Sequence, residues 1–346
     1  MMLHVLHVLH GGAMTLVQDH GRAGWRHLGV AHAGALDPAQ AALANRMAGN
    51  AHGAAVLELT LSGPTLDIAQ PVRIAICGAM IDAHFEDARA QQHPVPCGRP
   101  VTLPAGMLRL GAIPSGMRAW LAVAGGIDVP HVLGSRSTDL RGGFGGLHGR
   151  ALRAGDTLPL GAHAAIETTS LHAPGWWIAL DDRAAAHREA VRYVPRDPMA
   201  PRALSERTWA VDPRSNRQGL RCAGAAIPSI SAAPLSAPVA PGTLQLPPDG
   251  QPIVLLADAQ TVGGYPRIGH VIAADLPRLA QLRGGDTLRF IAVDAAAARA
   301  AALRRRGEIA RLHWALDCAL GNSPEFSPEF SPELSPELSP EFSAEP

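Results

Sequence analysis

The chain has 346 residues, 47% hydrophobic and 17% charged, with 30 basic residues balancing 30 acidic ones; this is an ordinary soluble composition, too long for one small core, and it points to two domains or one large β-rich unit. Every basic residue is an arginine, which excludes a P-loop lysine, a Schiff-base lysine and a biotinylated lysine on this chain. Four scattered cysteines form no CxxC pair, no apolar run reaches the roughly 20 residues of a membrane span, and the opening MMLHVLHVLH lacks a basic signal-peptide start, so a zinc knuckle, a membrane span and export are not expected and a cytoplasmic location is the default.

In chain order, His4, His7 and His10 have the spacing of a metal-binding helix face, but they sit in a stuttering repeat and no metal is expected. Residues 13–37 read as a strand and turns ending in GVAHAGALD. His32 and Asp37 in that loop suit an acid/base pair or, equally, a structural turn. Residues 38–49 (PAQAALANRMAG) read as a helix with Pro at its start and Gly at its end. Six short apolar stretches follow, from VLELTLSG to AWLAVAGG, and their Gly/Pro punctuation predicts antiparallel strands of a barrel or sandwich. RGGFGG at 141–146 is neither GxGxxG nor followed by lysine, so it reads as a lid or plain turn.

LRAGDTL at 152–158 returns as LRGGDTL at 282–288. The echo predicts two β-barrel-like domains, 1–170 and 171–320, with the boundary in an irregular Pro-rich stretch. A closing helix over 295–320 is expected to pack through Leu303, Leu312, Trp314 and Leu316. Beyond it, the SPEF/SPEL repeats of 321–346 predict a disordered tail, either a docking ligand or a neutral expansion. That tail holds six glutamates and no base, leaving the body at about +6. Its arginines are scattered and aromatics are only 4% of the chain, so nucleic-acid binding is not expected, whereas small anionic ligands fit.

Two segments carry polar groups beside glycines. Asp258, Gln260, Thr261 and Tyr265 surround Gly263 and Gly264 after the apolar strand PIVLLA, delivering an acid, an amide and hydroxyls to one barrel rim or satisfying a hairpin turn. SNRQG at 215–219 offers Ser215, Asn216 and Arg217, which suit a carboxylate or phosphoryl oxygen, or a capped turn.

These phrases, together with TLVQDHGRAGWRHLGVAHAGALD and LAVAGGIDVPHVLGSRSTDLRGGFGGLHGR, resemble the KipA, or allophanate hydrolase subunit 2, family over roughly residues 10–290. The resemblance implies a mainly β fold of tandem cyclophilin-like β-barrels with a few short helices. It also implies a subunit that opens 5-oxoproline to glutamate with A- and B-type partner subunits, using ATP with magnesium held mainly by those partners. A biotin-dependent carboxyltransferase component and a non-enzymatic regulator that binds a kinase inhibitor are the alternatives. On this basis Asp258, Thr261 and Tyr265 are the catalytic candidates, and Ser215, Asn216, Arg217, Gln260, Gly263 and Gly264 the substrate-binding ones, with His32 and Asp37 contributing from the first domain. The chain departs from the family phrases at Val262, Gln218, Leu220 and Cys222.

Overall fold

In the computed structural model, which describes residues 4–178, 190–196, 201–228 and 235–321, the apolar stretches of the first half become strands. They are β1 (Val5–His10), β2 (Met14–Gln18), β3 (Val56–Thr60), β4 (Thr65–Ile68), β5 (Val72–Gly78), β6 (Ala83–Glu86), β7 (Gln92–Pro94), β8 (Pro100–Leu103), β9 (Gly106–Leu110), β10 (Arg118–Val123) and β11 (Thr157–Pro159), with helix α1 (Pro38–Ala48) after β2. They pair as a six-stranded sheet, β11-β1-β4-β9-β6-β7, and a five-stranded sheet, β2-β3-β10-β5-β8. Leu66, Phe85 and Leu108 of the first sheet and Leu57, Ile76 and Leu121 of the second share one core. The chain stays on this unit through Ile178, whose N–H bonds to the carbonyl of Gly98.

Strand β3 reads VLELT and is buried along its whole length. Side chains alternate faces in a strand, so Leu57 and Leu59 enter the sandwich core while Val56 and Glu58 point the other way. In β10, Trp120 stands opposite Glu58 and Arg118 opposite Thr60. The five-stranded sheet is therefore covered on its second face too, by α1 and the second unit. Helix α1 matches the predicted span: Asp37 accepts hydrogen bonds from the N–H groups of Ala39 and Gln40 at 3.1 and 3.2 Å, and Gly49 ends the helix at φ 86°. Asp37 is thus the helix N-cap.

The second unit comprises β12 (Val191–Pro195), α2 (Pro201–Ser205), β13 (Thr208–Val211), β14 (Gly219–Ala223), β15 (Ala237–Pro238), β16 (Thr243–Gln245), β17 (Ile253–Leu255), β18 (Val262–Gly263), β19 (Arg267–Val271), α3 (Leu276–Leu279), β20 (Thr287–Ala292) and α4 (Ala295–Ala319). Seven strands close a barrel in the order β12-β19-β16-β17-β14-β13-β20, and β15 and β18 form a separate ribbon. Tyr193, Trp209, Leu244, Val271 and Phe290 are buried in it, and this core is continuous with the α1 side of the first unit.

The two LRxGDTL phrases fold alike. Asp156 accepts from the N–H of Arg153 at 2.8 Å, Asp286 accepts from that of Arg283 at 2.7 Å, and Gly155 and Gly285 lie at φ 89° and 93°. Each glycine occupies the left-handed region that a side chain would disfavour, and each turn feeds a strand.

One expectation is corrected. Helix α4 buries Ala301, His313 and Leu316, while Leu303 and Trp314 are 54% and 60% exposed; those two lie away from the buried azimuth of a 3.6-residue helix. His4, His7 and His10 run along an extended chain, where a spacing of three alternates faces, and the ring of His4 packs against that of His163 at 4.5 Å. Among the described residues, no group of three or more His, Cys, Asp and Glu is placed to hold a metal ion, and no helix is long and apolar enough to cross a membrane. The repeat tail beyond residue 321 lies outside the described residues.

Candidate functional site

The loop of residues 19–35 joins the two units. Its ends are tied by the N–H of Ala35 to the carbonyl of Asp19 at 2.9 Å and by that of Arg22 to the carbonyl of His32 at 2.7 Å, and it reaches the barrel through Ala33 N–H to Ala257 O at 3.1 Å. Gly21 fixes the shape, because a Cβ there would sit 2.6 Å from the ring and carbonyl of His32, at a φ of +84°.

Asp19 anchors this loop to residues 135–137. One carboxylate oxygen accepts from the hydroxyls of Ser135 and Ser137 at 2.6 and 2.5 Å and from the N–H of Gly21 at 2.8 Å, while the other accepts from the N–H of Arg136 at 2.6 Å. Burial alone would raise its pKa, but the two hydroxyls and two backbone donors outweigh burial and hold the carboxyl below the ordinary range. The folded pKa being depressed, this contribution to stability is complete above the unfolded value of about 3.9 and is lost as pH falls through the lower folded value. An Asp19→Asn chain should therefore lose stability at neutral pH and show a flatter acid limb in denaturant titrations across pH than the parent.

Beneath the loop lies a buried charge cluster. Arg217 donates Nε and Nη2 to the two oxygens of Asp258, both at 2.9 Å, Nη2 to the carbonyl of Gly34 at 2.7 Å, and Nη1 to Glu58. Glu58 also accepts from the indole N–H of Trp120 at 3.0 Å and the N–H of Leu36 at 2.8 Å. Arg118 lies 3.8 Å from Glu58 and donates to the carbonyl of Ala280 at 2.7 Å. Burial disfavours the charge of Arg217, but Glu58 and Asp258 outweigh it and its pKa is raised; burial lowers Arg118 to about 10 against the pull of Glu58. Burial likewise works against the Asp258 carboxylate, and the bidentate fork of Arg217 opposes that. With two carboxylates and two guanidinium groups the cluster is balanced, and it rivets the first unit to the barrel.

This geometry changes the predicted site. Arg217 and Asp258 are brought together, yet Arg217 is 2% and Asp258 3% exposed, with their charges turned on each other. Neither is presented to a ligand. Ser215 accepts from the N–H of Arg221 at 3.0 Å and Asn216 from that of Gln218 at 2.8 Å, so both close a turn. Thr261 is buried and its carbonyl accepts from the N–H of Val239, Gly263 pairs with Ala237, and Gly264 and Tyr265 are exposed at the rim. Asp37 is occupied with helix α1.

What remains open is a cleft between the units, with a volume of about 360 Å³. His20, Arg26 and His32 line it from the first unit, and Ala240, Leu256, Ala257 and Leu276 from the second; among the described residues no carboxylate lines it. Arg26 donates Nη2 to the carbonyl of Val239 and lies 3.5 Å from that of Gln260, while its solvent-shielded Nη1 has no partner among the described residues. The amide of Gln260 lies 3.4 Å from Gln245 Oε1, and Gln245 Nε2 is likewise buried without a partner. Both unmet donors neighbour Gln260, but only that of Arg26 belongs to a residue lining the cleft, where it suits an oxygen-bearing ligand.

Of the predicted residues, His32 and Gln260 belong to this region. Arg26, His20 and Gln245 were missed; Glu58 stands out in the sequence, but its pairing with Arg217 does not. A lone glutamate within VLELT was the available signal for Glu58; for Gln245 no local pattern distinguishes it.

Residues 28–292 match the family model of the carboxyltransferase domain, subdomain A and B. The chain is 39% identical over 289 residues to the C-type subunit of the 5-oxoprolinase of Escherichia coli (strain K12), covering 83% of this chain and 91% of that protein. The solved structure of TTHA0988 is similar, with a TM-score of 0.73 and 36% identity over 84% of this chain and 56% of that one. So is the K. lactis urea amidolyase, with a TM-score of 0.75 and 28% identity over 89% of this chain and 20% of that one. The chain spans about half, or less, of the length of these solved structures.

Proposed function

The chain belongs to the family of the carboxyltransferase domain, subdomains A and B, and on that premise we propose that it is a subunit of an ATP-dependent 5-oxoprolinase that opens 5-oxoproline to L-glutamate together with A- and B-type subunits. The observation that carries this reading is the Nη1 donor of Arg26, without a partner among the described residues, beside an apolar cleft that no described carboxylate lines. 5-Oxoproline is a small ring bearing one carboxylate and one lactam amide. Its ring suits the wall of Leu256, Ala257 and Leu276, and its carboxylate suits Arg26. Nδ1 of His32 lies 3.0 Å from the carbonyl oxygen of Ala33, a contact suited to an N–H, which leaves Nε2 with the lone pair. In this role His32 accepts the proton of the water that adds to the activated amide carbon.

The residues of this chain do not suit ATP itself. Lysine is absent, and the glycine-rich loop of residues 141–146 turns the N–H groups of Arg141 and Gly142 onto Asp139 at 3.1 and 2.8 Å, setting a carboxylate where a phosphate would need donors. Phosphoryl activation and its magnesium are therefore assigned to the partner subunits. Co-expression of the chain with A- and B-type subunits is expected to give ATP-dependent glutamate from 5-oxoproline only when this chain is included. A well-folded complex that makes no glutamate would end the reading.

The likeness to urea amidolyase favours a second reading. In that reading the cleft of this chain accepts carboxybiotin from a separate carrier, and carboxybiotin-dependent carboxylation of urea by the same preparation would select it.

A further inference from the structure

Helix α4 presents an apolar stripe that no described residue covers. Leu303 and Trp314 are 54% and 60% exposed, and they stand about three turns apart on nearly one azimuth. Arg299 and Arg306 flank the stripe on one side and Arg304 and Arg311 on the other. No acid lies between Leu303 and Trp314 on this face: Glu308 is about 140° round the helix and pairs with Arg305, and Asp317, one turn beyond Trp314, is paired with Arg46 of α1. An apolar anchor ringed by guanidinium groups selects an acidic ligand that carries large apolar side chains.

The chain tethers such a ligand to the same helix. Directly after α4, residues 323–342 repeat Ser-Pro-Glu followed by Phe or Leu. Each unit sets a carboxylate beside a large apolar residue in sequence. Proline-containing segments favour extended conformations, which lowers the entropy lost on docking. One unit advances about 13 Å in an extended chain, close to the roughly 16 Å between Leu303 and Trp314 along the helix axis. The repeat region reaches on the order of 60 Å, well beyond the roughly 37 Å length of α4.

We propose that the SPEF/SPEL tail turns back along α4 and docks on the Leu303–Trp314 face of its own chain, with its glutamates on the four flanking arginines. Each exposed ion pair is weak, but the tether supplies an effective concentration on the order of millimolar. A millimolar intrinsic affinity is then enough to keep the face covered for much of the time.

Acrylamide quenching of Trp314, taken as the difference between a chain and its Trp314→Phe variant, reads the contact directly. The quenching constant is expected to be roughly halved in the full chain relative to one ending at Gly321, as an effective concentration near the dissociation constant dictates. That difference should vanish in about 1 M salt, where screening is short-ranged, and in an Arg304→Glu/Arg306→Glu/Arg311→Glu chain. Equal quenching with and without the tail at low salt overturns the proposal. A dimer that dissociates when the tail is removed overturns docking within one chain in favour of exchange between two copies.

Discussion

Replacing Arg217 by alanine is expected to cost about 3–5 kcal/mol of stability, because it strips the shared counter-charge from two buried carboxylates. Glu58 and Asp258 are 1% and 3% exposed, so water cannot take over the role of the lost guanidinium. The bond to the carbonyl of Gly34 disappears as well, loosening the loop that forms one wall of the cleft. Denaturant unfolding should show the midpoint falling, and joint replacement of one pair, Arg217→Met with Asp258→Asn, which leaves Glu58 beside Arg118, should recover much of the loss. The variant also carries a pH signature. Without Arg217 nothing opposes the burial that raises the Asp258 carboxyl, so the destabilisation is greatest above its folded value and is relieved as pH falls toward the unfolded carboxylate range. A variant with the parental unfolding midpoint but a raised KM would instead make Arg217 a substrate ligand.

The second large effect is expected at Arg26. In the assembled enzyme, Arg26→Ala should lower kcat/KM for 5-oxoproline by roughly 10- to 100-fold, equivalent to about 1.5–3 kcal/mol for a charged hydrogen bond. The loss should appear mainly in KM, since a carboxylate remote from the reacting amide is held alike in the ground and transition states. The unsubstituted lactam, which lacks the carboxylate, provides the control: the parent and Arg26→Ala enzymes should treat it equally. A variant that discriminates between the two substrates as the parent does would remove Arg26 from carboxylate recognition.

The candidate site was legible in part. Asp258 and Arg217 each stood out as a polar residue beside apolar strand sequence, and the fold does bring them together. Their pairing with Glu58 was hidden because these residues are 159 and 200 positions away along the chain, and only the packing of a sandwich against a barrel closes that distance. The same reasoning explains Ser215 and Asn216. Their hydrogen-bonding capacity was evident, but whether a turn consumes it depends on where the backbone of residues 218–221 runs.

Sequence alone determined the features that depend on neighbours along the chain. The cap and stop of helix α1 at Asp37 and Gly49, the strand-rich first half, the recurring Asp-anchored turns at 152–158 and 282–288, and the absence of lysine chemistry all follow from short-range sterics and residue identity. Tertiary structure decided which polar groups are spent and which are left over. Burial and pairing between distant segments commit Arg217 and Asp258 to each other, turn Leu303 and Trp314 outward, and leave a donor of Arg26 unmet at the seam between the units. A hydrogen-bonding group becomes available to a ligand only when the fold removes it from water without giving it a partner, and that condition is set by long-range packing.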